Sequence, residues 1–346
     1  MMILQMLLNL MMVTQMRLKT INQEVFGIYL NSMKKKAIII SIKSYKLSRK
    51  EKILLSKEKP WGLILFKRNI KSLNQIRKLT KDIKKFTRDK KFPILIDEEG
   101  LKVSRLSNIL NHNLNANFFG NLYENDKNIA ISLYRTYLKF LNRTLKKIGI
   151  NINTIPVLDV KRKNTHSIIG SRSFSKKKEI VKKFGEITVE ECHAANVVNV
   201  IKHIPGHGCS TKDSHLTLPK VNYKQKILNS IDFYPFKSSS AKLAMTAHIL
   251  YSKIDSKYVS TFSKKIIREI IRKKIGFRGI LMSDDISMKA LKYDLITNAK
   301  MSLSAGCNLV LYCAGNIEDN LKLIKSVPFI DKFTSKKTSE IYKILR

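Results

Sequence analysis

Val197-Val-Asn-Val-Ile201 runs without a break into Lys202-His-Ile-Pro-Gly-His-Gly-Cys-Ser-Thr-Lys-Asp-Ser-His-Leu-Thr-Leu-Pro219. The first five residues, short, apolar and mostly β-branched, predict a strand buried on both faces, as in a parallel sheet. Lys202 and His203 then stand where the strand ends. The loop that follows carries His207, Cys209, Asp213 and His215 among Pro205, Gly206, Gly208 and Pro219, a mixture that shapes a loop and not a helix.

Working outward, the same alternation recurs along the chain. Apolar runs at 37–42, 62–66, 93–97, 151–158, 197–203, 243–248, 279–283 and 308–312 predict strands. Amphipathic basic segments at 73–86, 127–148, 176–195, 224–230, 264–275, 288–304 and 318–325 predict helices between them. Eight apolar strands separated by helices call for an α/β fold, a single-domain (β/α)8 TIM barrel with helices outside a parallel sheet. The polar residues strengthen that expectation: Asp97, Asp159, Lys202, His203, His248 and Asp284 all fall at the carboxyl ends of predicted strands, which share one face of a barrel. A doubly wound open sheet is the alternative, but no Gly-rich nucleotide fingerprint follows the first strand.

The expected barrel occupies residues 33–335, with 1–32 an N-terminal extension and 336–346 a C-terminal tail. The apolar residues 1–13 lack a basic leader and a small-residue cleavage site, and thirteen residues are too few to span a bilayer. The four cysteines, Cys192, Cys209, Cys307 and Cys313, form no C-x-x-C pair, so a reduced, cytoplasmic chain is the simplest expectation. The net charge of +40 usually signals a polyanionic partner. Here the lysines are spread along nearly the whole chain beside abundant Ile and Asn, and no stacking aromatics interleave them, so no nucleic acid is expected. No membrane span and a monomer are expected.

An aspartate directly after an apolar strand is held by rigid backbone, which suits a nucleophile that must stay within reach of one carbon atom. Asp284 and its neighbour Asp285 both fit, and their spacing leaves the choice even. Asp213 and His215, two apart, can form a carboxylate–imidazole pair that transfers a proton reversibly. His203, His207, Cys209 and His215 loosely suggest zinc, but their spacing matches no common ligand pattern, and no metal is expected. Asp97 with Arg105, and Arg172 in Gly170-Ser-Arg-Ser-Phe174, are suited to sugar hydroxyls and amides; the competing reading for each is a surface ion pair of little consequence.

Trp61-Gly-Leu-Ile-Leu-Phe-Lys-Arg-Asn, Ile96-Asp-Glu-Glu-Gly, Pro156-Val-Leu-Asp, Ile169-Gly-Ser-Arg-Ser-Phe, Lys202-His-Ile-Pro-Gly-His-Gly, Asp213-Ser-His, Ala247-His and Ser283-Asp-Asp-Ile-Ser-Met together resemble the bacterial β-N-acetylhexosaminidases of glycoside hydrolase family 3. The resemblance is collinear over roughly 33–313. It implies a (β/α)8 barrel, no organic cofactor, a small carbohydrate substrate and hydrolysis with retention. It further implies Asp284 as nucleophile, His215 as general acid/base, Asp213 tuning that histidine, and Asp97, Arg105, Arg172, Lys202 and His203 holding the sugar. A phosphorylase, a chitin-derived-glycoside variant and an inactive basic barrel that binds nucleic acid are the alternatives. Two departures from the family pattern, Leu101-Lys102 where Gly-Arg is usual and Cys209 where a polar residue is common, leave these groups intact. Leu101 is expected to strain a position that needs an unusual backbone angle.

Overall fold

The computed structural model describes residues 35–110, 113–214 and 216–345. Eight parallel strands close a barrel: β1 (Lys36–Ser41), β2 (Pro60–Leu65), β3 (Ile94–Ile96), β4 (Ile152–Asn153), β5 (Val198–Ile204), β6 (Leu243–Thr246), β7 (Ile280–Asp285) and β8 (Leu309–Leu311), with β8 pairing back to β1. The expected (β/α)8 architecture is therefore present. Ile39, Ile64, Leu95, Ile152, Val200, Met245, Met282 and Leu309 pack inside the barrel, while a larger apolar layer joins the opposite strand faces to the surrounding helices. Burial on both faces is why these strands are largely apolar and do not alternate, with their polar residues gathered mostly toward the carboxyl ends.

Four of the strands, β3, β4, β6 and β8, are shorter than expected. The run at 151–158 pairs only over Ile152–Asn153, leaves the ladder around Pro156, which has no N–H to donate, and rejoins through the bridge Val157–Lys202. The helix expected at 288–304 begins at Leu295, because Asp294 accepts from the N–H groups of Ile296 and Thr297 and fixes the first turn there. Helix Arg49–Lys57 opens on a reciprocal Ser48–Glu51 capping box.

Helix Lys332–Ile344, capped by Asp331, crosses the boundary drawn at 335. In place of a tail, Ile341, Tyr342 and Leu345 close the amino-terminal end of the barrel, and Trp61 Nε1 donates to Thr338 Oγ1 at 2.8 Å. These contacts join residues more than 250 positions apart, beyond the reach of local periodicity. The expected extension at 1–32 lies outside the described residues. Among the described residues no helix is long and apolar enough to cross a membrane.

Candidate active site

The chain leaves β3 through Asp97, Glu98 and Glu99. Glu98 is fully buried and folds the following loop back on itself: its carboxylate accepts from Ser104 Oγ and from the N–H groups of Arg105 and Leu106 at 2.7–2.9 Å. That fold returns the Arg105 guanidinium to Asp97, at 3.0 Å. Asp97 also accepts from the Thr154 hydroxyl and, at 3.3 Å, from Lys202 Nζ. Glu99 accepts from Arg172 Nε and Nη2 at 2.7 and 2.9 Å, and lies 2.6 Å from Lys202 Nζ. Burial alone would raise both carboxyl pKa values, but the cations outweigh it. Lys202 and Arg105 hold Asp97 far below the usual carboxylate range, and Arg172 and Lys202 bring Glu99 down to about 2.

Consecutive side chains of a strand normally point to opposite faces. Between Lys202 and Ile204 the register of β5 against β6 slips by one, so both Lys202 and His203 reach polar partners at the barrel mouth. Lys202 donates to Thr154 Oγ1 at 2.7 Å, and His203 Nδ1 donates to Asp159 Oδ2 at 2.7 Å. Asp159, fully buried, also accepts from the His207 backbone N–H at 2.6 Å. Burial pushes its pKa up, but His203 and His207 more than offset that and leave it lowered. His207 itself is pushed down to about 4 by burial, against the opposing pull of Asp159, so its ring is neutral at pH 7.

At the end of β7 the two aspartates divide their duties. Asp285 accepts from Ser287 N–H and Oγ and from the Cys313 N–H, which ties the turn after β7 to the end of β8. Burial, with the adjacent Asp284 charge, raises its pKa. Asp284 Oδ1 accepts from the Asp285 N–H at 2.8 Å. His248, after β6, sits beneath this pair, with Nε2 3.0 Å from the Asp285 carbonyl and Nδ1 2.8 Å from Thr261 Oγ1. A carbonyl can only accept, and burial lowers the His248 pKa, so the ring is neutral with its proton on Nε2. The Cys313 thiol lies within electrostatic reach of Asp285, Asp97 and Asp284, which places both sides of the site around one mouth.

The described parts of the 206–219 loop, 206–214 and 216–219, lie beside that mouth. Gly208 presses so closely on Val160 that a Cβ would fall 1.9 Å from the Val160 carbonyl oxygen. Ala290 N–H donates to the Ser214 carbonyl at 3.2 Å, joining the loop to the segment just after Asp285. Pro219 and Val221 accept from Leu250 and Ser252, where Lys220–Val221 pairs with Leu250–Tyr251. Asp213 lies within electrostatic reach of Lys102, which also feels Arg172 and Glu99, so its loop stands beside the cluster around Lys202. His215 lies outside the described residues.

Asp97, Arg105, Arg172, Lys202 and His203 thus converge on the mouth, but three details differ from expectation. Arg172 pairs with Glu99, which had been given no role, and Thr154 and Asp159 support the cluster in ways that single-motif reading did not assign. Glu99 stood inside the quoted Asp97-Glu-Glu motif; the missing signal was its partner, 73 residues away. The strain expected at Leu101 is absent, because the unusual angle belongs to Gly100, at φ +139°, where a Cβ would meet the Leu114 carbonyl at 2.5 Å. Among the described residues no cluster of three or more His, Cys, Asp or Glu side chains is arranged to hold a metal.

A groove of about 660 Å³ lies far from this chemistry, at the amino-terminal end of β3 and β4. Its cations include Arg77, Lys81, Lys84, Lys85, Lys146 and Lys147, four of which sit in the last turns of helices Leu73–Thr87 and Lys127–Lys147. Cations there complement the carbonyl ends of the helix dipoles, and among the described residues no aromatic ring lines the groove to stack a base. Its size therefore does not make it the catalytic pocket.

Residues 13–336 match the model of the glycosyl hydrolase family 3 N terminal domain. A protein named beta-hexosaminidase from Actinobacillus succinogenes is 32% identical over 306 residues, covering 85% of this chain and 87% of that one. Another of the same name from Neisseria meningitidis is 30% identical over 282 residues, covering 80% and 77%. The crystal structure of NagZ from Neisseria gonorrhoeae in complex with N-trifluoroacetyl-D-glucosamine superposes with a TM-score of 0.80 at 27% identity, covering 89% of this chain and 90% of that one.

Proposed function

The chain belongs to glycosyl hydrolase family 3, and from that premise we propose that it is a cytoplasmic, retaining exo-β-N-acetylglucosaminidase that removes terminal N-acetylglucosamine from anhydro-muropeptides in peptidoglycan recycling. The observation that carries this reading is the meeting of two unlike groups at one mouth. A buried cation–carboxylate cluster built on β3 and β5 faces an aspartate fixed at the end of β7, and the loop bearing Asp213 is tied across both.

In this mechanism Lys202, Arg172, Asp97, Arg105 and His203 hold the hydroxyls of the terminal sugar, so that its anomeric carbon faces Asp284. The Asp284 carboxylate attacks that carbon while His215, as imidazolium, gives its proton to the departing glycosidic oxygen. The C–O bond breaks, the aglycone leaves as an alcohol, and a glycosyl ester remains on Asp284. Neutral His215 then takes a proton from water, whose oxygen attacks the anomeric carbon and frees Asp284. Inversion twice gives net retention, as in two-carboxylate retaining glycosidases, with a histidine in place of the second carboxyl. Asp213 orients that histidine and raises its basicity. A histidine acid also avoids placing a second anion beside the nucleophile.

The test is release of a chromogenic aglycone from its β-N-acetylglucosaminide by the purified chain, with and without phosphate. Turnover without a phosphate requirement, abolished by Asp284→Ala and slowed by about 10²–10⁴ in His215→Ala, is the expected result. A folded parent chain that releases nothing would overturn the reading, and dependence on phosphate would replace hydrolysis with phosphorolysis. Comparing anhydro-muropeptides with chitin fragments as competing substrates then tests the proposed natural substrate.

A further inference from the structure

Two of the cations assigned to the sugar, Arg172 and Lys202, are held chiefly by a residue that the proposed mechanism does not use. Glu99 follows β3 by three residues, and its side chain is 6% exposed. One carboxylate oxygen, Oε1, accepts from Arg172 Nη2 at 2.9 Å and lies 2.6 Å from Lys202 Nζ, while Oε2 accepts from Arg172 Nε at 2.7 Å. Arg172 and Lys202 are themselves 9% and 3% exposed. Two cations so deeply placed are not stable side by side without an anion between them, because repulsion in a low-dielectric surrounding is strong and weakly screened.

Asp97 cannot supply that anion alone. It touches Lys202 only at 3.3 Å, and its other oxygen is taken by Arg105. The Glu99 backbone is pinned as well, since its N–H donates to the Val103 carbonyl at 2.9 Å. A carboxylate on a fixed backbone that grips the planar guanidinium by two bonds sets the angle of Arg172, and the oxygen shared with Lys202 sets the spacing between the two cations. Among the described residues, neither Arg172 nor Lys202 has another carboxylate at so short a distance.

We infer that Glu99 is a positioning residue, whose bridging carboxylate locks Arg172 and Lys202 into one unit with the geometry that receives the terminal sugar. This rests on the assignment of those two cations to the sugar. Glu99 makes no proton transfer and forms no bond to substrate. Its effect reaches the reaction through the aim of Arg172 and Lys202, and therefore falls on binding of the sugar itself, whatever the aglycone.

The experiment compares the inhibition constant of free N-acetylglucosamine, a property independent of how much enzyme is active, for the parent, Glu99→Gln and Glu99→Asp. Glu99→Gln keeps the shape and removes the charge; Glu99→Asp keeps the charge and is too short to bridge both cations. The expected result is an inhibition constant raised about tenfold or more in each, by analogy with truncation of a buried charge pair. In a double-mutant cycle with Arg172→Gln, the two losses should be clearly less than additive, because the second substitution removes what Glu99 aims. An unchanged inhibition constant in either folded variant, or strictly additive losses, overturns the inference. If Glu99→Gln does not fold, Glu99→Asp decides by the same readout. Arg172→Gln and Lys202→Met measured alone keep the two ideas apart. If they leave the constant unmoved, the sugar-binding assignment fails; if they raise it while the Glu99 variants do not, only the positioning role fails.

Discussion

On the β3–β5 side of the mouth, Asp97, Glu99, Arg172 and Lys202 lie buried against one another, each with an oppositely charged partner within 3.3 Å. On the β7 side, two adjacent aspartates meet a histidine kept neutral by burial. The first region balances its charges within itself and so holds its shape before any sugar arrives. The second divides the labour: Asp285 binds the turn together, and Asp284 is presented by the strand that Asp285 secures. Substitutions on the first side should therefore damage folding and binding together, whereas on the second side chemistry and stability should separate.

The largest expected effect tests that separation. Asp284→Ala should lower kcat by about 10³-fold or more, while its loss of stability, from the Asp285 N–H left without this acceptor, stays below that of Asp285→Ala. Asp285→Ala, one residue on, should do the reverse in emphasis, losing about 1–3 kcal/mol of stability because the Ser287 and Cys313 N–H groups lose their acceptor. Calorimetry and turnover on the same samples check both. If Asp284→Ala unfolds as readily as Asp285→Ala, the division of labour is wrong.

Lys202→Met comes next. It strands Glu99 and Asp97 beside fewer cations, and breaking such a buried pair should cost about 3–5 kcal/mol, read as a lower denaturant midpoint. The same replacement at exposed Lys81, in the groove at the opposite end of the barrel, should stay within about 0.5 kcal/mol. Equal losses at the two sites would remove the contrast between a built cluster and a merely basic surface.

His207 gives a smaller, pH-dependent effect. Its imidazole titrates near 6.5 when unfolded and near 4 when folded. Between those values the unfolded chain holds a proton that the folded chain does not, so the contribution is fully present above pH 6.5 and declines as pH falls toward 4. The loss amounts to about 3 kcal/mol by the bottom of that window. His193 and His248, also lowered by burial, add a slope of the same sign. Glu99 and Asp97, whose pKa values are lowered, add their own slope chiefly below about 4.5, while Asp285 and Asp232, raised by burial, titrate with the opposite sign, so the His207 share is read from the difference between the parent and His207→Gln. His207→Gln should flatten part of that slope, and an unchanged slope would refute the assignment. The smallest effect belongs to Leu101, which is 55% exposed with an ordinary backbone angle. Leu101→Gly should alter stability by no more than about 1 kcal/mol, whereas Gly100→Ala, at positive φ against the Leu114 carbonyl, should cost more.

Much of this site was legible because a parallel barrel imposes a simple code. Each strand must be apolar on both faces, so a charged residue that ends such a run is at the mouth, and Asp97, Lys202, His203 and Asp284 could be placed there from the chain alone. Motif resemblance then supplied roles that spacing left open, as for Asp284 against Asp285. Less legible were the partnerships. Glu99 with Arg172, Asp159 with His203 and Thr154 with Lys202 join residues dozens of positions apart, and the closing of the barrel floor by Ile341 and Tyr342 brings the last helix against β1 and β2. The sequence by itself determined the alternation of strand and helix and which residues stand at strand ends, because hydrophobic periodicity and backbone preference are local. Only the tertiary structure decided which charge neutralises which, because burial removes the water that would otherwise serve every ion, and the partner is then whichever group the barrel brings within reach.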